Sequence, residues 1–517
     1  MLDGFFARAS ASATAVTMPV TRILLVLLVL AAGSMVAGAD ARAASSISLE
    51  SGANVKISGA APGDHVGSSV SRAGDVNGDG IPDVIVGADG ASNNGRSASG
   101  SAWVIFGTAS KTTVNLAKLG NAGFRIDGPS AQANAAWGVA GPGDINGDGL
   151  ADVVVGVPRD DQNGRSGSGA AYVVYGKRDG APVDLANLGS AGFRIDGAMA
   201  FEGAGSSVAG VGDVNGDGIP DVMVGAPYAP HGDTSAGAAY VVFGKRDNAP
   251  VDLATLGVPG VGAPGFRIDG TAANDLAGHS VAGAGDVNGD GIPDVIVGAV
   301  EASNNARANS GSAYVVFGKK STEPVELATF GSPAGSAGFR IDGAAAGDEA
   351  GNEVAATGDM NGDGRSDVVV GAPETNAGGS ESGSAYVVFG SSSSATVDLA
   401  ALGTRGYQMN GAGDRYFAWD AVAGGCDVNG DGRPDTLVGA FGRSLWTGSA
   451  YAVYGPAATT TITLGSANMA GSTMNGFNQG DNAGYRVDCI GDTNGDGRSD
   501  IVVTAPGAGV VYIVLGQ

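Results

Sequence analysis

Gly74-Asp-Val-Asn-Gly-Asp-Gly-Ile-Pro-Asp-Val-Ile-Val-Gly87 joins an acidic loop to an apolar run, and this stretch organises the whole chain. Asp75, Asn77 and Asp79 stand at alternate positions, Gly78 and Gly80 lie between them, and Asp83 opens the run Val84-Ile-Val86. The string recurs with its first Asp at Asp75, Asp144, Asp213, Asp286, Asp359, Asp427 and Asp492, at intervals of 65 to 73 residues. A fixed period of this kind marks a repeat architecture.

Every copy has the same internal order. In the third, Ser206-Ser-Val-Ala-Gly-Val-Gly212 leads into the acidic loop and Asp221-Val-Met-Val-Gly-Ala226 leaves it. Ala239-Tyr-Val-Val-Phe-Gly244 follows, then a linker, Ala249-Pro-Val-Asp-Leu-Ala-Thr-Leu256, and Gly265-Phe-Arg-Ile-Asp-Gly270. Runs of four to six residues rich in Val, Ile, Tyr and Phe and bounded by Gly read as strands, named here A (before the loop), B, C and D. The linker has room for one helical turn. The predicted fold is all-β: a seven-bladed propeller of four-stranded blades. The last copy stops at strand C, Val510-Val-Tyr-Ile-Val-Leu-Gly516, while a spare strand D, Asn54-Val-Lys-Ile-Ser-Gly59, precedes the first strand A. The expectation is a ring closed by the N-terminal strand joining the last blade, which removes an exposed sheet edge.

The loops predict a metal. Hard cations such as Ca²⁺ take six to eight oxygen ligands. Positions 1, 3, 5 and 9 would offer side chains, and position 7 a main-chain carbonyl. The candidate ligands are Asp75, Asn77, Asp79, Ile81 and Asp83; Asp144, Asn146, Asp148, Leu150 and Asp152; Asp213, Asn215, Asp217, Ile219 and Asp221; and Asp286, Asn288, Asp290, Ile292 and Asp294. The remaining loops offer Asp359, Asn361, Asp363, Arg365 and Asp367; Asp427, Asn429, Asp431, Arg433 and Asp435; and Asp492, Asn494, Asp496, Arg498 and Asp500. Asx-rich turns also form without metal, but a plain turn does not require Asp at positions 1, 5 and 9 and Asn at 3 in all seven copies. The flexible all-oxygen set favours Ca²⁺ over Mg²⁺, about seven ions in all, one per blade. An EF-hand would need Glu at position 12, where the first loop has Val86 inside a strand; dockerin-type loops open a helix, which Pro82-Asp-Val-Ile-Val-Gly87 does not.

With strands and loops placed, the chain resembles the FG-GAP repeats of the integrin α-subunit propeller and its bacterial relatives over residues 47–517. Gly-Ala-Pro stands at Gly225–Pro227 and Gly371–Pro373 and is altered to Gly156-Val-Pro158, Thr504-Ala-Pro506, Gly87-Ala-Asp89, Gly298-Ala-Val300 and Gly439-Ala-Phe441. Of the Phe-Gly element, Gly67, Gly205, Gly278, Gly351 and Gly484 match, while Val or Ala stands before them and Ala136 and Trp419 replace the glycine. The resemblance implies a propeller with calcium loops between strands A and B on one face and partners meeting the other. It does not name the ligand. The family also includes the propeller of a secreted phospholipase D, where a separate domain is catalytic.

Composition narrows the function classes. Gly accounts for 92 of 517 residues without a collagen period, and 43% hydrophobic content excludes wholesale disorder. The formal charge of −24 argues against nucleic acid; seven divalent ions would bring it to about −10. Arg22, the apolar run Ile23–Ala32 and Ala41-Arg42-Ala43 read as a signal peptide over residues 1–43, with Met1 or Met18 as start and residues 44–517 as the propeller. A retained anchor is the alternative, although ten apolar residues are short for a span. Cys426 and Cys489, before the sixth and seventh loops, are either bonded or two small buried thiols. The three histidines, His65, His231 and His279, belong to no recognisable catalytic motif.

The expected function is a secreted or cell-surface, calcium-binding adhesion module, monomeric, with an unknown protein or glycan ligand and no membrane span after signal cleavage. The alternative is a secreted hydrolase or lectin-like propeller using the face opposite the calcium loops. On that face the sixth copy stands out, with Arg415, Tyr416, Phe417 and Trp419 before its strand A and Arg443 and Trp446 after its strand B. Aromatics packed between blades are the plainer account of these residues.

Overall fold

Strand B of the first repeat, Asp83–Ala88, and strand C, Ser101–Ile105, are buried at every residue. Continuous burial explains why these runs are apolar throughout instead of alternating. The computed structural model describes residues 45–108, 112–230, 235–258, 264–331, 337–413, 421–455, 461–467 and 469–517. The signal-peptide reading of residues 1–43 lies outside them.

Among the described residues the chain forms seven separate sheets, each antiparallel over strands A to D. In the first, Val70–Gly74 pairs with Asp83–Ala88, then Ser101–Ile105, then Gly123–Asp127. The seven-bladed propeller is thus present, but each blade has five strands where the sequence suggested four. The fifth comes from the linker: Val183–Asp184, on its way to strand D of the second blade, pairs in parallel with Gly123–Asp127 of the first. The linker then makes a single 3₁₀ turn, Leu185–Asn187, capped by the Asp184 carboxylate on the Ala186 N–H. Two-residue parallel pairings carry too little apolar signal to be read from sequence.

The core lies between blades. One cluster joins Val154, Ala171 and Phe193 of the second blade to Val222, Val224 and Tyr240 of the third, all nearly inaccessible. Cations cross the same seams: the Lys177, Lys245 and Lys319 ammonium groups lie 5.0, 4.4 and 4.5 Å from the ring centres of Phe124, Phe193 and Phe266 on the preceding blade. At the Phe-Gly position the backbone is left-handed. Gly205 has φ +87, and a Cβ there would stand 2.3 Å from the Ala170 carbonyl oxygen. Ala136, which replaces glycine in the second blade, is held at φ +65, so the neighbouring strands impose the conformation on a residue that disfavours it.

The N-terminal strand Val55–Ser58 pairs antiparallel with the last strand, Val510–Val514, as the fourth strand of the seventh blade. Ser45–Ser48, which the sequence reading did not assign, adds in parallel to the sixth blade through Gly471–Asn475. Residues 45–58 are therefore the linker and strand D of the seventh repeat, carried at the opposite end of the chain. No sheet closes on itself; neighbouring blades meet through side chains and loops. At the seam between the seventh and first blades, the Asp488 carboxylate accepts from Ser71 Oγ and from the Arg72 N–H, each at 3.0 Å.

Cys426 and Cys489 are bonded, with Cα atoms 5.8 Å apart on the innermost strands of the sixth and seventh blades. The bond encloses a 63-residue separation, for which chain entropy gives about 4 kcal/mol of stabilisation. A Cys426→Ser, Cys489→Ser double variant is expected to lose roughly that much, read as a lower urea midpoint. An unchanged midpoint would show that packing alone holds the seam.

Candidate metal centres and the face opposite them

Each acidic loop follows a bulge at the end of strand A, between Arg72 and Gly74 in the first blade. Gly74, at φ +78, turns the chain into the loop. Asp75 Oδ1 accepts the N–H groups of Gly78 and Asp79 at 2.7 and 3.0 Å, and Oδ2 accepts that of Gly80 at 2.8 Å. Asp79 Oδ1 accepts from the Ile81 N–H at 2.9 Å, and Asn77 Nδ2 donates to Asp79 Oδ2 at 3.0 Å. The other loops repeat this net, as at Asp144, Asp286, Asp359, Asp427 and Asp492.

Position 9 behaves differently. Asp83, Asp152, Asp221, Asp294, Asp367, Asp435 and Asp500 are fully buried. Asp83 Oδ2 accepts from Val76 N and Oδ1 from Gly107 N, at 2.8 and 2.7 Å, so one carboxylate ties the loop to the exit of strand C. Asp152 does the same through Ile145 and Gly176, and Asp367 through Met360 and Gly390. Burial pushes the Asp83 carboxyl up to about 7, with Asp79 and Asp75 adding to the rise and the two N–H donors opposing it. The same cause brings Asp152, Asp221, Asp294, Asp367 and Asp435 to about 7. Reading these residues only as ligands missed this internal staple, because its partner lies about twenty residues further on.

The side chains as placed satisfy the main chain, and among the described residues no three His, Cys, Asp or Glu groups converge as a preformed metal cluster. The donor chemistry still fits a hard cation. Every side-chain donor is an oxygen, each carboxylate oxygen has more than one lone pair, and Asn215 Oδ1 is buried with no hydrogen-bond partner. The structure puts positions 1, 3, 5 and 7 of each copy in the loop and position 9 at the first residue of strand B; it also gives position 7 a task the sequence reading left out. A methyl group built on Gly78 would touch the Leu150 side chain of the next blade at 2.6 Å, and ones on Gly289 and Gly430 would meet Arg365 and Arg498, so in these three copies the side chain at position 7 leans on the preceding loop.

The FG-GAP repeat family matches residues 66–105, 136–174, 204–242, 277–316, 350–388 and 486–514, each spanning strands A to C of one blade. The chain is an FG-GAP repeat protein. The matched stretches are blades one to five and seven. Integrin alpha pat-2 of Caenorhabditis elegans is 33% identical over 239 residues, 44% of this chain and 17% of that protein. Integrin alpha-2 of Bos taurus is 35% identical over 189 residues, 35% of this chain and 15% of its own length. Phosphatidylinositol-glycan-specific phospholipase D of Bos taurus is 34% identical over 180 residues, 33% of this chain and 20% of that protein. The alignments thus span a fifth or less of these relatives.

In an FG-GAP blade the B–C and D–A connections lie at the end away from the acidic loops. Of the seven large exposed apolar side chains among the described residues, six are at that end: Trp137, Phe201, Tyr228, Leu445, Trp446 and Phe477, with Val258 the exception. Trp137, Phe201 and Tyr228 line one cavity of about 1010 Å³ that runs between the A strands. In the sixth blade Phe441 packs on Trp446 and Tyr485, and Arg443 donates to Asn475 Oδ1 at 2.8 Å, so the plainer packing account holds for part of that cluster. Arg415, Tyr416, Phe417, Trp419 and His231 lie outside the described residues. His65 Nδ1 is 3.3 Å from Asp89 Oδ1, and His279 Nδ1 is 3.2 Å from the Asn352 carbonyl oxygen.

Beside Phe201, Glu202 is wholly buried and accepts from the Tyr240 hydroxyl at 3.2 Å. Burial pushes its carboxyl up to about 7 from 4.5. A raised carboxyl favours folding while protonated, so its contribution is complete below pH 4.5 and is lost as the pH rises through 7. The difference is on the order of 3 kcal/mol. Glu202→Gln is expected to flatten the fall in urea midpoint between pH 5 and 8; an unaltered slope would place the effect elsewhere.

Proposed function

We propose that this chain is an exported binding module whose acidic loops each take a Ca²⁺ ion and whose opposite face takes a protein or glycan ligand. Bound calcium would neutralise carboxylates that otherwise crowd one another at seven places. Asp, Asn and the position-7 carbonyl would supply the oxygens, and the position-9 staple would transmit the ion's hold to strand C. The observation that carries the binding role is the one-sided display of Trp137, Phe201, Tyr228, Leu445, Trp446 and Phe477. Aromatic groups in a polar surround dominate binding energy at interfaces, and a face free of the acidic loops can meet a partner without disturbing them. Likeness to integrin α chains supports binding over catalysis.

The test is a screen of residues 44–517, in millimolar calcium, against matrix proteins and a glycan array. A ligand is expected whose affinity falls at least tenfold in Trp137→Ala, Phe201→Ala and holds in Val258→Ala. Likeness to a phospholipase D favours a second reading as a hydrolase accessory or hydrolase. Turnover of a phosphodiester or ester substrate, abolished by one substitution, would install that reading instead.

A further inference from the structure

The fourth position of every acidic loop is glycine, and over five of the seven a cation of the following blade is placed. A methyl group built on Gly78 would stand 2.7 Å from the Arg178 guanidinium, and on Gly147, 3.3 Å from that of Arg246. On Gly216 it would be 3.7 Å from Lys320 Nζ, on Gly289 3.1 Å from Arg365 Nε, and on Gly430 3.0 Å from Arg498 Nε. Arg365 Nε donates to the Asn288 carbonyl at 3.3 Å, and Arg178 lies 3.5 Å from that of Gly78.

Two unrelated routes deliver this charge. In blades two to four, position 7 is Leu150, Ile219 or Ile292, and the cation comes from the exit of strand C, at Arg178, Arg246 and Lys320. In blade five that exit reads Gly390-Ser-Ser392, and in blades five and seven position 7 itself is the cation, Arg365 or Arg498. One place reached by a cation from two sequence positions points to the charge at that place; over Gly78 the apolar Leu150 side chain packs beside Arg178, and in the sixth blade the position-7 Arg433 does not reach Gly362. Over Gly362 and Gly495, in the fifth and seventh loops, no described atom comes within 4 Å of the same point.

We propose that these five cations are built-in competitors of the bound ion. Each steadies its acidic loop when calcium is absent and weakens calcium's hold when present, so the loops Asp359–Asp367 and Asp492–Asp500 bind tightest and fill first. The inference rests on the calcium reading above. Five loops are thereby tuned to respond at higher calcium than the other two, and each is coupled to its neighbouring blade.

The experiment is a chelator-buffered calcium titration of the full chain, counting bound ions, with melting curves in the metal-free and calcium-saturated states. In Arg178→Met, Arg246→Met, Lys320→Met, which keeps the apolar stems, three ions are expected to bind up to about tenfold tighter at low ionic strength, less so in high salt. The metal-free melting temperature should fall while the calcium-saturated one holds. Asp363→Asn, Asp496→Asn should delete the two tightest steps of the wild-type isotherm. Unchanged affinities in the triple variant with melting lowered equally in both states, or survival of the tightest steps in the double variant, would overturn the proposal alone. A wild-type chain that takes up no calcium would overturn the calcium reading and this inference together.

Discussion

Stripping divalent ions with a chelator is expected to lower the melting temperature of the folded chain by more than about 10 °C. Calcium that binds the folded loops and not the unfolded chain stabilises by mass action. At a free concentration ten times each dissociation constant, one ion contributes about 1.4 kcal/mol and seven about 10 kcal/mol. Extracellular modules hold calcium with constants near 10⁻⁴–10⁻³ M, so millimolar calcium should restore the loss and millimolar magnesium should not. Single variants sharpen the test: Asp290→Asn removes a carboxylate from one loop only and should cost one ion of about seven. A chelated chain that melts where the untreated one does, and binds no calcium on refilling, would remove the metal from every loop.

Deleting residues 45–58 is expected to have a comparably large effect. Those residues supply the fourth strand of one blade and the fifth of another, at Val55–Ser58 and Ser45–Ser48. Ile57 is fully buried, and Leu49 nearly so, in clusters that join the seventh blade to its two neighbours. Loss of the segment would leave Val510–Val514 as an unpaired edge and open apolar surface at two seams. The truncated chain should melt more than about 10 °C lower and self-associate in size-exclusion chromatography, and a synthetic 45–58 peptide should reverse both. Ile57→Asp, which buries a charge while leaving the strand present, should reproduce most of the loss. A truncated chain as stable and monomeric as the parent would show that the paired segment adds nothing to the sixth and seventh blades.

What was legible in the sequence follows a simple division. A nine-residue loop is specified by its own residues, so Asp75 through Asp83 could be read as one unit and counted seven times. Strands B and C were legible for the same reason, since their apolar runs are continuous and bounded by glycine. The position-9 staple was not, because the donors at Gly107 and Gly176 lie 24 residues away from Asp83 and Asp152. Nor was the role of position 7, whose side chain varies among Ile, Leu and Arg. Ile-Ser-Leu-Glu at 47–50 has the apolar-polar pattern of Val-Asp-Leu-Ala at 183–186, which is the signal that could have revealed the first strand.

By itself the sequence determined the local chemistry and the arithmetic of the fold: all-oxygen loops, short strands, seven copies, and a displaced final strand. The loops and strands depend on residues within one repeat, where spacing along the chain and spacing in space nearly coincide, and the displaced strand follows from comparing the strand order of the copies. Only the tertiary structure decided that the linkers become fifth strands, that Cys426 bonds Cys489, that the exposed aromatics share one face, and that Arg178 covers Gly78. Each of those relates residues of different blades, as at the 100-residue separation between Arg178 and Gly78. The angle between blades, which no periodicity encodes, selects the side chains that meet there.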